Sequence, residues 1–229
     1  DRGKILGLGV CMTGRVNPDT GRSYKYFTSS EQSLREVLEE RVGLRVLLEN
    51  DTRARCYAEY TCGKSKDESN VLYLHMGRGV AIGIVVDGQL YYGKSGFAGE
   101  FGHIPFFDNE IICHCGKKGC LETEVSGNAA KRILAEQLAA GKTSVLSASA
   151  PNSVEPTIQE IIQAANNEDP LCQDIMEEMG RKLGLQLANL INIFNPKAII
   201  LGGSMSKNND SLLESVKMSI KKYSLKLIH

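Results

Sequence analysis

The residues best suited to chemistry in this sequence are three cysteines and one histidine that lie close together along the chain. They are His103, Cys113, Cys115 and Cys120. Three thiolates and an imidazole form a common closed tetrahedral zinc site, and soft thiolates select zinc over magnesium or calcium. Gly116 and Gly119 allow the tight turns that bring Cys120 back towards Cys115. We therefore predict a structural zinc ion with four protein ligands and no open position for water.

Two alternatives compete with this ligand set. His114 is a rival fourth ligand, but it lies between two of the cysteines and the loop would have to splay it inward. Three thiols buried near one another by chance is the second alternative. Lys117 and Lys118 make the loop too polar to be a good thiol core, so we prefer zinc with His103 as the fourth ligand.

Asn50 and Asp51 end a short apolar strand and begin a helix. Both residue types favour the N-cap position, so helix capping alone explains the pair. The functional alternative is a carboxylate at the carboxyl end of a strand, where α/β folds place their ligands. Such an aspartate could remove a proton from a sugar hydroxyl as a general base. From these residues alone both interpretations stay open.

Other polar groups flank the cysteine-rich loop or form a weaker motif. Glu100 and Glu122 could form bidentate hydrogen bonds with vicinal hydroxyls, or they could be ordinary surface acids. The turn Gly77-Arg78-Gly79 leads from one strand into another strand and not into a helix, so it is not a dinucleotide-binding fingerprint. Its glycines could admit a phosphate against backbone N–H groups, and a plain hairpin is an equally good interpretation.

Hydrophobic periodicity predicts alternating strands and helices, which is typical of layered α/β folds. Asp87-Gly88 is a strong hairpin signal, and Asn195-Pro196 should end the longest helix. From about Leu121 the pattern becomes mainly helical. The predicted strands cover residues 4–11, 44–48, 71–75, 80–86, 89–92 and 197–201, and the clearest predicted helices cover 31–42, 51–62, 169–194 and 209–222.

Composition excludes several classes of protein. The 229 residues include 27 basic and 27 acidic side chains, so no overall field attracts nucleic acid or an anionic membrane. No apolar run is long enough to span a bilayer. Seven scattered and clustered cysteines do not form a disulfide framework, which favours the reducing cytoplasm. The chain begins without Met and ends without a cap, and we expect a fragment of a longer polypeptide.

Several segments together resemble the ROK family (repressors, open reading frames, kinases) of the actin-like ATPase superfamily. The segments that carry the resemblance are Gly93 to His103, Cys113 to Glu122, Leu48 to Ala54, and Asn195-Pro196 through Gly202-Gly203. The resemblance covers most of the chain. It implies a two-lobed α/β fold of the ribonuclease H-like, actin-like ATPase type, partial at both ends. We place the remainder of the N-terminal lobe in residues 1–62, and the C-terminal lobe with its zinc loop at about 103–120 in residues 63–229.

The resemblance also implies roles for individual residues. A hexose or amino sugar would be held by Asn50, Asp51, Glu100, His103 and Glu122. His103 would ligate zinc through one nitrogen and contact the sugar through the other. In kinase members Asp51 would be the general base, with ATP and Mg²⁺ as further requirements. Nucleotide would then lie at Gly77, Gly79, Gly202 and Gly203.

Two departures from the kinase pattern favour the regulator branch, of the NagC/XylR type. No Asp-x-Gly-Gly-Thr phosphate hairpin occurs, and Arg78 replaces the threonine of the usual Gly-Thr-Gly turn. We therefore expect a cytoplasmic sugar-sensing domain of a transcriptional regulator of carbohydrate metabolism. DNA would be bound only by a segment outside this chain, and a homo-oligomer is expected. The alternatives are an ATP-dependent sugar kinase and a scaffold with a degenerate pocket.

Overall fold

The protein is a mixed α/β structure. The computed structural model describes residues 2–28, 30–63, 65–66, 68–147 and 155–226. Within these ranges the strands are β1 (Leu8–Met12), β2 (Val16–Asn17), β3 (Arg22–Ser23), β4 (Val46–Asn50), β5 (Val71–Met76), β6 (Val80–Val86), β7 (Gln89–Leu90) and β8 (Ala198–Gly202). The helices are α1 (Leu34–Val42), α2 (Asp51–Cys62), α3 (Glu122–Val125), α4 (Gly127–Ala139), α5 (Ile158–Asn166), α6 (Pro170–Phe194) and α7 (Asp210–Tyr223). Single 3-10 turns cover Arg2–Lys4 and Phe101–His103.

Local sequence signals explain where the helices begin and end. Ser33 and Glu36 form a reciprocal capping box at the start of α1, and Gly43 ends that helix at a φ of 65°. The long helix α6 has Asp169 as its N-cap and ends at Asn195 in the left-handed conformation, with a φ of 44°. The long helix therefore ends where Asn195-Pro196 predicted, and the helix predicted at 31–42 begins three residues later, at Leu34.

The strands form three sheets among the described residues. β1 pairs with β4 in parallel, with Leu8 opposite Val46 and Met12 opposite Asn50. β2 and β3 form a short antiparallel pair. The third sheet has four strands in the order β7-β6-β5-β8, and β6 and β7 are joined by the predicted hairpin, in which Asp87 and Gly88 both have positive φ.

The chain divides into two compact units, each built from separate stretches of sequence. The first unit contains Asp1–Tyr73, Ile82–Glu100 and Lys197–Ile199. The second unit contains Leu74–Ala81, Phe101–Pro196 and Ile200–His229. The lobes predicted at residues 1–62 and 63–229 stay a prediction, and residues 1 and 227–229 at their outer ends lie outside the described ranges.

In the first unit, an apolar cluster packs α1 against the β1–β4 sheet. Its buried members are Val16, Leu34, Val46 and Leu48. The predicted strand at 4–11 begins only at Leu8 and is largely exposed, and Leu6 just before it is 98% exposed. An apolar run predicts burial only where a second layer covers it, and β1 pairs only with β4 among the described residues.

In the second unit, α6 packs along α7 and is the centre of the core. Gly180 and Gly184 face α7, and a Cβ atom at either position would lie within 2.6 Å of a backbone oxygen of that helix. The missing side chains allow the two backbones to approach closely. Met176, Leu183 and Leu187 on α6 are completely buried. In the described ranges, no helix is both long and apolar enough to cross a lipid bilayer.

Candidate functional site

The second unit brings the four predicted metal ligands together. Their ligand atoms all lie within 4.8 Å of one another. Isolated backbone bridges pair Pro105 with Cys120 and Ile112 with Lys118, so the loop folds back on itself after Cys113. These ligands are His103, at the end of a 3-10 turn, and Cys113, Cys115 and Cys120, in the following loop.

Glycines at two positions make the fold of the loop possible. Gly116 and Gly119 have φ values of 89° and 71°, as their predicted role in tight turns requires. Gly119 also lies against Phe107, and a Cβ atom there would be 1.9 Å from the Phe107 carbonyl oxygen. Any other residue at 119 would therefore displace the strand-like segment that returns Cys120 to the cluster.

The spacing of the donor atoms suits a tetrahedral zinc ion. With Zn–S bonds of about 2.3 Å and Zn–N bonds of about 2.0 Å, two sulfurs lie roughly 3.8 Å apart and a sulfur and a nitrogen roughly 3.5 Å apart. The Sγ atoms of Cys115 and Cys120 are separated by 3.6 Å, and Cys113 Sγ lies 3.5 Å from His103 Nδ1. The four residues thus fit zinc in both chemistry and spacing.

The thiols differ in how readily they ionise. Burial raises the pKa of Cys120 to about 12, and burial also raises the pKa of Cys113. For Cys115 burial acts in the same direction, but hydrogen bonds from the Lys117 backbone and from the two neighbouring thiols outweigh it and lower the pKa. Because metal ligation requires thiolates, binding of a cation should release protons from the two buried cysteines.

His114 takes a different position from the one a fourth ligand would need. Its side chain is 69% exposed, and its Nδ1 lies 3.0 Å from Glu122 Oε1 and 3.9 Å from Cys113 Sγ. His103, His114 and Glu122 also form a compact group of donor atoms. Both imidazoles therefore lie near the loop, but only His103 belongs to the group of donor atoms that contains all three cysteines.

Glu122, at the start of α3, is held in place from two sides. Its Oε2 accepts a hydrogen bond of 3.0 Å from the backbone N–H of Val80, and its Oε1 faces His114. A Cβ atom at Gly79 would lie 2.2 Å from Oε2, so this carboxylate occupies the space that the missing side chain leaves. The position of Glu122 is therefore enough to require a glycine at 79, whether or not a phosphate binds there.

The predicted nucleotide glycines also meet in the second unit. Gly203 has a φ of 97°, and a Cβ atom there would lie 2.1 Å from the carbonyl oxygen of Met76, which immediately precedes Gly77. Gly202 ends β8 beside it. The Gly77 carbonyl accepts a hydrogen bond of 2.7 Å from Gly127 N at the start of α4.

In the first unit, Asn50 is the N-cap of α2, as one interpretation of the sequence expected. Its Oδ1 accepts from the backbone N–H groups of Thr52 and Arg53, and its Nδ2 donates to the Gly14 carbonyl oxygen at 2.9 Å. Most of the hydrogen-bonding capacity of Asn50 is therefore used within the protein. Asp51 also takes part at the helix start, because its Oδ1 accepts from the backbone N–H of Thr52 at 2.9 Å and from Asn50 Nδ2 at 3.3 Å.

Asp51 and Glu100 both reach solvent in the first unit. The Asp51 side chain is 32% exposed, and its Oδ2 lies 3.6 Å from Nη1 of Arg55, one helical turn later. Glu100 is exposed and follows Gly99, whose φ is 91° and whose Cβ would lie 2.1 Å from the carbonyl oxygen of Ile82. Both carboxylates are therefore at least partly exposed to solvent.

Sequence reasoning missed a buried arginine beside the Asn50-Asp51 motif. Arg53 is 4% exposed and donates to Glu49, to Val16 and to Gly96. Arginine is mostly exposed in proteins, and Arg53 follows the predicted start of a helix, where a surface position is expected. The sequence therefore contained no signal that Arg53 is buried.

Comparisons with known proteins give a consistent result. The sequence model of the ROK family matches residues 1–228. A glucokinase of Halalkalibacterium halodurans is 33% identical over 224 residues, which are 96% of this chain and 68% of that protein. The DNA-binding transcriptional dual regulator NagC of Escherichia coli K12 is 31% identical over 225 residues, which are 97% of this chain and 54% of that protein.

Solved structures point in the same direction. The crystal structure of a ROK family transcriptional regulator, a homolog of the E. coli MLC protein, superposes with a TM-score of 0.88 at 33% identity. The match covers 98% of this chain and 56% of that one. The chain thus spans about half the length of the regulators it matches, and similar proteins include both kinases and repressors.

Proposed function

The chain belongs to the ROK family and has its actin-like ATPase fold, and we propose that it is the sugar-sensing, zinc-stabilised domain of a transcriptional regulator. Sugar would be bound by Asn50, Asp51, Glu100, His103 and Glu122. Zinc would be held by His103 and the three cysteines. DNA would be bound by a segment outside this chain. The regulators that the chain matches are longer than it, and it covers 54% and 56% of two of them.

One observation supports a regulator over a kinase: the first backbone N–H groups of α4 are already hydrogen-bonded within the protein. The N–H groups of Gly127 and Asn128 donate to the carbonyl oxygens of Gly77 and Arg78, at 2.7 and 3.5 Å. The next N–H, that of Ala129, donates to Ser126 Oγ. Helix N-termini bind phosphates through free N–H groups, and these three are already used within the protein.

Arg78 supports the same choice. It stands in the turn where kinase members of the family usually carry threonine, and its side chain is exposed. Gly77 N donates to Gly79 O within this turn, which uses another amide that a phosphate would need. Phosphoryl transfer depends on donors and Mg²⁺ gathered around the phosphates, and the turn offers a flexible cation in place of that arrangement.

A regulator also needs its ligand to distinguish two states. Sugar binding changes DNA affinity only if the sugar binds the two states of the protein unequally. Glu122 and His103 adjoin the cysteine loop, so a sugar bound to them would act directly on the segment that the metal fixes. Coupling would follow if the sugar contacted this segment more strongly in one state of the protein than in the other.

The second candidate is an ATP-dependent sugar kinase with Asp51 as general base. Asp51 lies at the carboxyl end of β4 and is accessible, and a glucokinase is among the similar proteins. In that case Gly77, Gly79, Gly202 and Gly203 would contact ATP and Mg²⁺ would be required. The ion pair with Arg55 opposes this role, because the guanidinium competes for the carboxylate that must accept the hydroxyl proton.

One experiment separates the two candidates. The full-length protein and its Asp51→Asn variant are incubated with ATP, Mg²⁺ and glucose, N-acetylglucosamine or xylose, and ADP release is measured beside calorimetric binding of each sugar. We expect binding of at least one sugar without turnover, and weaker binding by the variant. Sugar-dependent ADP release that disappears in Asp51→Asn would establish the kinase instead.

A further inference from the structure

A buried guanidinium lies at the meeting point of three segments in the first unit. Arg53 donates from Nε to Glu49 Oε1 at 2.7 Å, from Nη1 to the Gly96 carbonyl at 2.7 Å and from Nη2 to the Val16 carbonyl at 2.8 Å. Each nitrogen of the guanidinium therefore has its own acceptor. A buried charge is tolerated only when it is paired and hydrogen-bonded in this way.

Glu49 extends this contact into the sugar motif. Its Oε1 also accepts from the backbone N–H of Asn50 at 2.7 Å, and its Oε2 accepts from the Tyr92 hydroxyl at 2.9 Å. Burial, and then the neighbouring Glu49 carboxylate, raise the pKa of Tyr92 to about 12, so the hydroxyl keeps its proton as a donor. The centroid of the Tyr92 ring also lies 5.2 Å from the guanidinium carbon of Arg53.

Two of the three tied segments carry the proposed sugar ligands of the first unit, and the third, at Val16, adjoins the Gly14 carbonyl that Asn50 contacts. Gly96 is four residues before Glu100, and Asn50 is bonded both through Glu49 and directly to Gly14, two residues before Val16. The segments come very close, since a Cβ atom at Gly96 would lie 2.9 Å from the Val16 carbonyl oxygen. Two carbonyl oxygens pointing at one place repel each other unless a cation lies between them.

We propose that Arg53 is a positioning residue for sugar binding, which holds the Gly96–Glu100 loop and the β2 segment in register with Asn50 and Asp51. It touches no sugar and acts through Glu49 and two carbonyl oxygens. The assignment rests on the proposed sugar-binding function and adds to it a residue that sets the geometry of the site. Lysine cannot replace it, because the three N–H groups of an ammonium diverge from one nitrogen and cannot span acceptors that the planar guanidinium reaches from three separate nitrogens.

Arg35 provides a matched control in the same unit. Its guanidinium also donates to two carbonyl oxygens, those of Pro18 and Asp19, at 3.2 and 3.0 Å. It tethers a turn to α1 and not to the sugar motif. Arg35→Lys should therefore cost similar main-chain contacts without altering the segments that carry Asp51 and Glu100.

The test compares Arg53→Lys, Arg35→Lys and the unaltered full-length protein. Calorimetry with glucose, N-acetylglucosamine and xylose measures sugar affinity. Thermal melting followed by circular dichroism measures stability. Hydrogen exchange without sugar measures the mobility of residues 14–17 and 96–100. We expect Arg53→Lys to lose about tenfold or more in sugar affinity and to exchange faster in both segments. Arg35→Lys should bind sugar normally even where its melting temperature falls as much.

Each contrary result is decisive. Equal sugar affinity in Arg53→Lys and the unaltered protein overturns the positioning role, as does an equal loss in Arg35→Lys. If the unaltered protein binds none of the sugars, the proposed function fails, and the exchange comparison, which needs no sugar, still decides whether Arg53 fixes the two segments. If Arg53→Lys does not fold, Tyr92→Phe replaces it. Removing that one hydroxyl should weaken sugar binding in the same direction by a smaller factor, and unchanged affinity and exchange would refute the proposal.

Discussion

At the scale of single residues, two imidazoles compete for the role of fourth metal ligand. His103 Nδ1 lies 3.5 Å from Cys113 Sγ and forms a compact set with all three sulfurs. His114 instead lies 3.0 Å from Glu122 Oε1. If its Nδ1 carries the proton, it donates to the carboxylate and leaves Nε2 as an acceptor towards solvent.

We predict that His103→Ala loses most of its bound zinc, whereas His114→Ala keeps about one equivalent per chain. Loss of His103 would remove a bond to the metal, whereas loss of His114 would remove only a contact to Glu122. The measurement is elemental analysis of freshly purified protein, with exposed Cys11→Ser as the control that should retain its metal. Zinc retained by His103→Ala and lost by His114→Ala would reverse the assignment.

At the scale of elements, the start of the long helix α6 depends on one carboxylate. Asp169 is buried, and its two oxygens accept from the backbone N–H groups of Cys172 and Val145 at 2.9 and 2.7 Å. Burial by itself would raise its pKa, but these hydrogen bonds outweigh burial and lower the pKa below its ordinary 3.8. The ionised form is thus the one that the folded protein favours.

A carboxylate whose pKa is lowered by folding stabilises the protein above its unfolded pKa and loses that contribution as pH falls through the folded pKa. We therefore predict that Asp169→Asn destabilises the protein by about 1 kcal/mol at pH 7, and by less at pH 3. Asparagine still caps the helix but cannot ionise. Urea midpoints followed by circular dichroism test this prediction, and an equal difference at both pH values would contradict it.

A second element-scale contact joins α3 to α6. Glu124 of α3 is almost completely buried and accepts from Lys182 Nζ of α6 and from Asn109 Nδ2 of the cysteine-rich loop, both at 2.7 Å. Glu124 lies two residues after Glu122, so this contact links the long helix to the segment that carries a proposed sugar ligand.

We predict that Lys182→Met lowers the free energy of unfolding by about 1–3 kcal/mol, because Glu124 stays buried and loses its cationic partner. The control is Lys217→Met, whose partner Glu214 is 66% exposed. Exposed pairs contribute at most about 1 kcal/mol. Urea unfolding of both variants measures the difference, and equal effects would show that burial of Glu124 does not strengthen the pair.

At the scale of the whole molecule, the proposed metal and the proposed sugar share one loop. Glu122 follows Cys120 by two residues, and His103 is both a predicted zinc ligand and a predicted sugar contact. Removing the metal would release the cysteines and free the segment that holds these side chains.

We predict that stripping the metal with a chelator weakens sugar binding and that adding zinc restores it. Magnesium should not restore binding, because thiolates select zinc over hard cations. Cys115→Ser should behave like the stripped protein although its side chain contacts no sugar, whereas Cys11→Ser should bind sugar normally. Calorimetry measures each case, and sugar affinity that does not change on metal removal would refute the coupling.

Much of the architecture was predictable because its signals are local. Periodicity and capping residues predicted α1, α2, α6 and α7 within a few residues, and Asp87-Gly88 predicted the β6–β7 hairpin. The exposure of β1 was not predictable, because burial of an apolar strand depends on what covers it. The same limit applies to Arg53, which looks like an ordinary surface arginine in sequence and is buried beside a partly buried Glu49 in the structure.

The sequence alone determined the set of donor atoms: three thiols and an imidazole within one glycine-containing loop, and carboxylates on either side of it. Their types and spacing are local properties, and the ROK motifs could be recognised from them. Only the tertiary structure decided which imidazole faces the sulfurs, that Glu122 occupies the space above Gly79, and that Arg53 joins three distant segments. Those outcomes depend on contacts between residues far apart in sequence, for which residue type and spacing carry no information.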